Sequence, residues 1–316
     1  MGKWAAIDIG SNTVQLLVAE SEDVHFRPYY KIQEAKKLFF TLRTTRLGAS
    51  PTPGLLASER IADTVAVLKE YHEMLMSQGV GAVRIIATSA VRDAANKGLL
   101  LQAVQALCGW QVEVLSGQEE ARLSFLGAAG SALSQGAQHI LLLDIGGSSS
   151  ELIRWRENRL NIISADMGAV RAQVAGWQED YIEKALAQLI MTQDDDKAAL
   201  AIGAGGSITT AAALIQGCVE YSCETVSDYY LKAIAVDELL EILSPLSIEQ
   251  RCAFSPLLAR RGEIICEGLM ILRVFLRLLS LDGLRVSAGG VLEGCLLDLK
   301  QQGLTPKNKM KELGIE

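Results

Sequence analysis

Histidine is scarce: His25, His72 and His139 are the three in 316 residues, and they stand far apart in sequence. His72 falls on an apolar helical stripe with Ile61, Val65, Leu68 and Leu75, the spacing of a packed helix face. The six cysteines (Cys108, Cys218, Cys223, Cys252, Cys266 and Cys295) form no CxxC and no Cys/His pairing at zinc-ligand spacing. A histidine-based triad or a thiolate nucleophile therefore lacks support. No Lys/Arg run is long enough to track nucleic acid or an anionic bilayer, and 30 basic against 37 acidic residues leave a formal charge of −7. Neither nucleic acid nor membrane is expected as a partner. Asp8 interrupts the apolar core that a signal peptide needs, and no later stretch of about twenty apolar residues lacks both charges and clustered glycines. The expected location is cytoplasmic, and the chemistry is left to carboxylates, glycine turns and arginines.

What is present suffices for two domains: 316 residues, 49% of them hydrophobic, can bury two cores. Short apolar strands are expected at Trp4 to Asp8 and Val14 to Glu20, with further strands up to about Leu42. A helix from about Ala57 to Ser77 then precedes a strand at Val83 to Thr88, and a helix from about Gly98 to Cys108 precedes a strand at Gln111 to Leu115. Another helix follows from Glu119 to about Leu133. Strands alternating with helices predict an α/β protein with mostly parallel sheets covered by helices.

The chain also repeats itself. DIGSNTVQLL, Asp8 to Leu17, and DIGGSSSELI, Asp144 to Ile153, align without a gap, each a buried strand, a polar turn of small residues and a second strand. The reading is a duplicated pair of lobes, 1–123 and 124–316, whose last helix either completes the second lobe or crosses back to the first. GAGGS at Gly203 to Ser207 and SAGG at Ser287 to Gly290 read as strand-turn-helix junctions, and the basic tail Pro306 to Glu316 as a solvated helix end.

Turns of this composition expose consecutive backbone N–H groups and suit phosphate oxygens. Ser11, Asn12 and Thr13 form the first such turn, and Gly146, Gly147 and Ser148 the second. Asp8 and Asp144 end the preceding strands, and carboxylates beside phosphates suggest a hard divalent cation, Mg²⁺ above all. Gln15 in one copy is matched by Glu151 in the other, which adds an acidic contact for metal or water. In SGQEEAR, Ser116 and Glu119 have capping-box spacing, so Glu119 has a structural task and Glu120 is the freer carboxylate for orienting a water. Arg92, after the strand-turn sequence RIIATSAVRD, suits phosphate recognition.

DIGSNTVQLL, ATSAVRD, SGQEEARLSFLG, DIGGSSSELI, SADMGAVR and SAGGVLEG together resemble the exopolyphosphatase/guanosine pentaphosphate phosphohydrolase family of the actin-like ATPase superfamily, from about residue 4 to residue 298. The resemblance implies two actin-like (ribonuclease H-like) lobes with an interlobe cleft; long members carry an additional C-terminal helical domain, and at 316 residues no extra C-terminal helical domain is expected here. It implies hydrolysis of a terminal phosphoanhydride of inorganic polyphosphate or guanosine penta- or tetraphosphate. Glu120 then matches the water-activating glutamate, with Glu151 and Arg92 beside it in catalysis. Asp144 and Glu151 match the acids associated with the metal and the nucleophilic water, and Asp8, Ser11, Asn12 and Arg92 the phosphate-facing positions of the first lobe; Asp8, as a carboxylate beside phosphates, is also a candidate metal ligand. Two departures stand out. Ser148 replaces a glycine and would crowd the turn if that position requires φ > 0, and Leu292 stands where the family carries arginine. A sensor that binds polyphosphate or an alarmone without turnover, or an ATP-dependent kinase with GAGGS on the adenosine side, are the rival readings. Lys31, Lys36, Lys37, Arg43 and Arg46 offer a modest basic track for a polyanion, and a homodimer is compatible with the sequence.

Overall fold

In the computed structural model, the residues described are 2–21, 36–50, 52–157, 159–190 and 200–301. The chain opens with β1 (Gly2–Ile9), β2 (Thr13–Ser21) and β3 (Lys36–Thr44), followed by α1 (Ser58–Ser77), β4 (Ala82–Ala87), α2 (Ser89–Asp93), α3 (Lys97–Cys108), β5 (Glu113–Val114) and α4 (Gly117–Ser134). β1, β2 and β3 form an antiparallel meander, and β4 and β5 join parallel beyond β1, giving the order β3-β2-β1-β4-β5. The run WAAI is apolar without alternation because both sheet faces are covered. Ala5, Ile7 and Ile9 pack with Leu68 and Tyr71 of α1 and Leu100 and Val104 of α3. Trp4 and Ala6 point the other way, toward Leu123 and Leu126 of α4. His72, on the α1 stripe, meets Trp110 edge-on with ring centroids 4.8 Å apart.

A second set follows: β6 (His139–Ile145), β7 (Ser150–Arg156), β8 (Arg159–Ala165), α5 (Ala169–Ala175), α6 (Glu179–Ile190), β9 (Leu200–Ala204), α7 (Gly206–Ile215), α8 (Cys223–Val226), β10 (Tyr230–Lys232), α9 (Ala233–Leu243), α10 (Ile248–Phe254), α11 (Ile265–Leu278) and β11 (Gly283–Val286). Its sheet runs β8-β7-β6-β9-β11, again a meander extended by two parallel strands, with β10 added antiparallel at the edge. The duplication read from ten residues therefore extends to the strand order of both sheets. GAGGS joins β9 to α7, and SAGG joins β11 to the last helix, α12 (Val291–Gln301), as strand-turn-helix junctions.

The chain forms two compact units, and their boundary differs from the expected cut at residue 123. The first unit runs through α4 to Ser134 and regains the chain at Val291, and the second is Gln135–Gly290. Residue 123 lies within α4, whose Leu123 and Leu126 belong to the first unit's core, so the helix cannot be divided there. α12 takes the crossing-back course: Leu292, Cys295, Leu296 and Leu297 pack with Trp4, Leu17 and Leu123. Lys31 and the tail from Pro306 lie outside the described residues.

Candidate functional site

Each unit presents its glycine turn at the end of its first strand, in the same register. Asp8 on β1 pairs with Gln15 on β2, and Asp144 on β6 pairs with Glu151 on β7. The Gly10 N–H donates to Thr13 O and the Gly146 N–H to Ser149 O, both at 3.0 Å. In the first turn, Asn12 O accepts from the N–H groups of Thr45 and Arg46, and Ser11 O accepts from Gly48 at 2.7 Å. In the second, Gly146 O accepts from Ala169 at 3.0 Å and Gly147 O from Val170 at 2.9 Å, at the start of α5. These carbonyls are thus taken up within each unit. The N–H groups of Ser11, Asn12, Gly147 and Ser148 have no backbone partner among the described residues, which is what an anion-binding turn requires.

In the first unit, Asp8 shares the sheet face of Trp4 and Ala6, and this face is covered by α12 together with α4. Its carboxyl is buried, and Oδ1 has no hydrogen-bond partner among the described residues. Burial, with the charge of Glu120 adding to it, pushes Asp8 up to about 7. Glu120 accepts from Arg92 Nη1 at 2.8 Å, and the same nitrogen donates to Leu115 O at 3.2 Å. Asp8, Glu120 and Arg92 are therefore brought together, from β1, α4 and α2. Ser11 Oγ lies 3.0 Å from Ser89 Oγ, tying the first turn to the start of α2. The expected capping box is half formed: Ser116 Oγ accepts from the Glu119 N–H at 3.2 Å, whereas the Glu119 carboxylate is gripped by Arg122. Lys36 and Lys37 lie in β3, and Arg43 and Arg46 are exposed at its far end. Arg46 is left-handed, with φ 51°.

In the second unit, Asp144 and Glu151 occupy directly opposed positions on antiparallel strands, where like charges repel unless something of opposite sign intervenes. Glu151 accepts from Ser164 Oγ at 3.0 Å. A divalent cation fits this donor set: two hard carboxylates suit Mg²⁺, which keeps several waters. No third ligating side chain joins them in a cluster among the described residues. In the first unit, the unsatisfied buried oxygen of Asp8 likewise suits a cation or a proton.

Ser148 does not have positive φ, so the concern that its side chain would crowd a left-handed position does not apply. The glycine that this turn needs is Gly168, where a Cβ would fall inside van der Waals contact of Gly147 and Ser148 backbone atoms. Leu292 is core, packed with Leu123 and Leu296, which accounts for an apolar residue there. Sequence reasoning gave no role to Arg261. Its partly buried guanidinium lies against Gly206 at the start of α7, where a Cβ would collide with it, and burial lowers its pKa. No carboxylate pairs with it among the described residues. Gly205, with φ 94°, lets the chain turn there against Ile145 O. An isolated arginine in a loop carries no period or spacing by which to find it.

Residues 17–302 match the Ppx/GppA phosphatase family. Exopolyphosphatase 2 of Mycobacterium tuberculosis is 30% identical, over 93% of this chain and 98% of its own length. A guanosine-5'-triphosphate,3'-diphosphate pyrophosphatase of Aliivibrio fischeri is 25% identical over 92% of this chain and 58% of its own length. Among solved structures, a Ppx/GppA family member from Aquifex aeolicus superposes with a TM-score of 0.83 at 26% identity, covering 95% of this chain and 98% of that one.

Proposed function

This chain belongs to the Ppx/GppA phosphatase family, and from that premise we propose that it is a phosphohydrolase releasing the terminal phosphate of inorganic polyphosphate, guanosine pentaphosphate or both. Water attacks the terminal phosphorus directly, the bridging P–O bond breaks, and the shortened phosphate chain or nucleotide leaves. Glu120 orients that water and takes its proton. Arg92 holds the Glu120 carboxylate at 2.8 Å and has further donors for phosphate oxygens. The N–H groups at Ser11, Asn12, Gly147 and Ser148 receive phosphate oxygens, with Thr13 and Gly146 closing the two turns. Asp144 and Glu151 would hold Mg²⁺, which when bound supplies positive charge against the phosphates. Asp8 is the first unit's acid for a cation or proton.

The observation that carries this reading is the repeated hairpin, a strand with an aspartate one residue before its end and a turn in which consecutive N–H groups have no backbone partner among the described residues. Six free cysteines fit a reducing compartment, and the proposed location is the cytoplasm. The test is phosphate release across polyphosphates of several lengths and guanosine pentaphosphate, with Mg²⁺ or with chelator. Release dependent on the metal is expected. Saturable binding without released phosphate under any divalent cation would overturn the hydrolase reading in favour of a sensor.

A further inference from the structure

Five charged side chains of the first unit form one run of ion pairs that this chemistry does not touch. Arg84 on β4 is buried and donates through Nε and Nη2 to Glu113, each at 3.0 Å, and through Nη1 to Asp298 Oδ2 at 2.7 Å. Arg122 on α4 donates to the other oxygen of Asp298 at 2.8 Å and holds Glu119 in a fork at 2.9 and 2.8 Å. Asp298, buried on α12, thus joins a strand and a helix that precede it by more than 170 residues. A buried carboxylate shared by two guanidiniums adds little net stability, because desolvation offsets attraction. It does impose a geometry, since each oxygen is committed to a different element.

That geometry bears on Glu120. Glu119, its neighbour in the first turn of α4, is held by the same Arg122. The segment that begins with Arg84 runs through β4 into α2, which ends near Arg92, the partner of Glu120. β4–α2 and α4 are therefore tied twice, by Arg84–Asp298–Arg122 and by Arg92–Glu120. α12 has no slack in this arrangement: Gly294, one turn before Asp298, approaches α4 so closely that a Cβ would collide with Leu123 O. We propose that Asp298 is a positioning residue for Glu120, delivered by the returning C-terminal helix, which sets the first turn of α4 against β4 and so holds the Arg92–Glu120 contact. The proposal rests on Glu120 acting as the base.

Asp298→Asn keeps the shape and removes the charge. In a double-mutant cycle with Glu120→Gln, read as unfolding midpoints, the two shifts are expected to be non-additive although the residues share no direct bond. Additive shifts would overturn the proposal whatever the activity. In phosphate release, measured where every variant is folded, Asp298→Asn is expected to lower kcat at least about tenfold. KM should stay within about twofold, the acid limb of the pH–rate profile should move, and Asp298→Glu should restore part of the rate. A folded Asp298→Asn with wild-type kcat and pH profile would also overturn it. If that variant does not fold, Arg122→Lys, which loses the fork but keeps the charge, enters the same cycle under the same criteria. Absence of turnover in the wild type would overturn the hydrolase reading alone, because the stability cycle still decides the role of Asp298.

Discussion

With one oxygen unpartnered at the end of β1, Asp8 carries its proton up to about 7, against 3.8 for an ordinary aspartate. Between those values the folded state binds more protons than the unfolded chain, so this group's contribution to stability is lost as pH rises from about 4 to about 7. At 1.4 kcal/mol per unit the loss is at most about 4 kcal/mol. Asp8→Asn in metal-free buffer is therefore expected to raise Tm by several degrees at pH 8 and to leave it unchanged near pH 4, as thermal scans at both values would reveal. Glu120→Gln is expected to slow phosphate release by about a hundred- to ten-thousand-fold, with circular dichroism unaltered; near-normal turnover would remove Glu120 from the mechanism. Glu120 could be singled out from residue order because it lies next to a cap position. The half-formed cap keeps that argument, with Arg122 rather than the backbone occupying Glu119. The burial of Asp8 could not be read in the same way, since it depends on which helices cover that face of β1, above all the returning α12.

At the scale of elements, the two hairpins were readable because a four-residue turn between short strands leaves one register in which both apolar faces stay buried. The helices 58–77 and 97–108 were likewise found nearly to their ends from apolar spacing. The contact between α5 and the second turn was not, because nothing local marks Gly168 as the point where two backbones meet. Gly168→Ala forces that contact apart, and overpacking of this kind costs about 1–3 kcal/mol. Its expected signature is a lower Tm together with a raised KM for polyphosphate, since the displaced backbone is that of Gly147 and Ser148. A variant with unchanged KM would detach this turn from substrate binding.

For the molecule as a whole, α12 belongs to the core of the first unit although it follows the entire second one. Removing the chain from Val291 onward uncovers Trp4, Leu17 and Leu123. Trp4 emission is expected to shift to the red in that truncated chain, while the second unit, whose core holds no α12 residue, keeps its amide-exchange protection. An unshifted Trp4 would mean that the first sheet is closed without the last helix.

Residue order alone settled the α/β class and the duplicated hairpin with its aspartates, because each depends on residue types at short fixed spacing, and the resemblance to a phosphatase family rested on motifs of the same short range. Packing decided what spans long separations: the return of α12, the Arg84–Asp298 bond across 214 residues, the meeting of Arg92 with Glu120, and the raised proton affinity of Asp8. Those contacts depend on which surfaces the folded helices cover, and period and motif do not encode that.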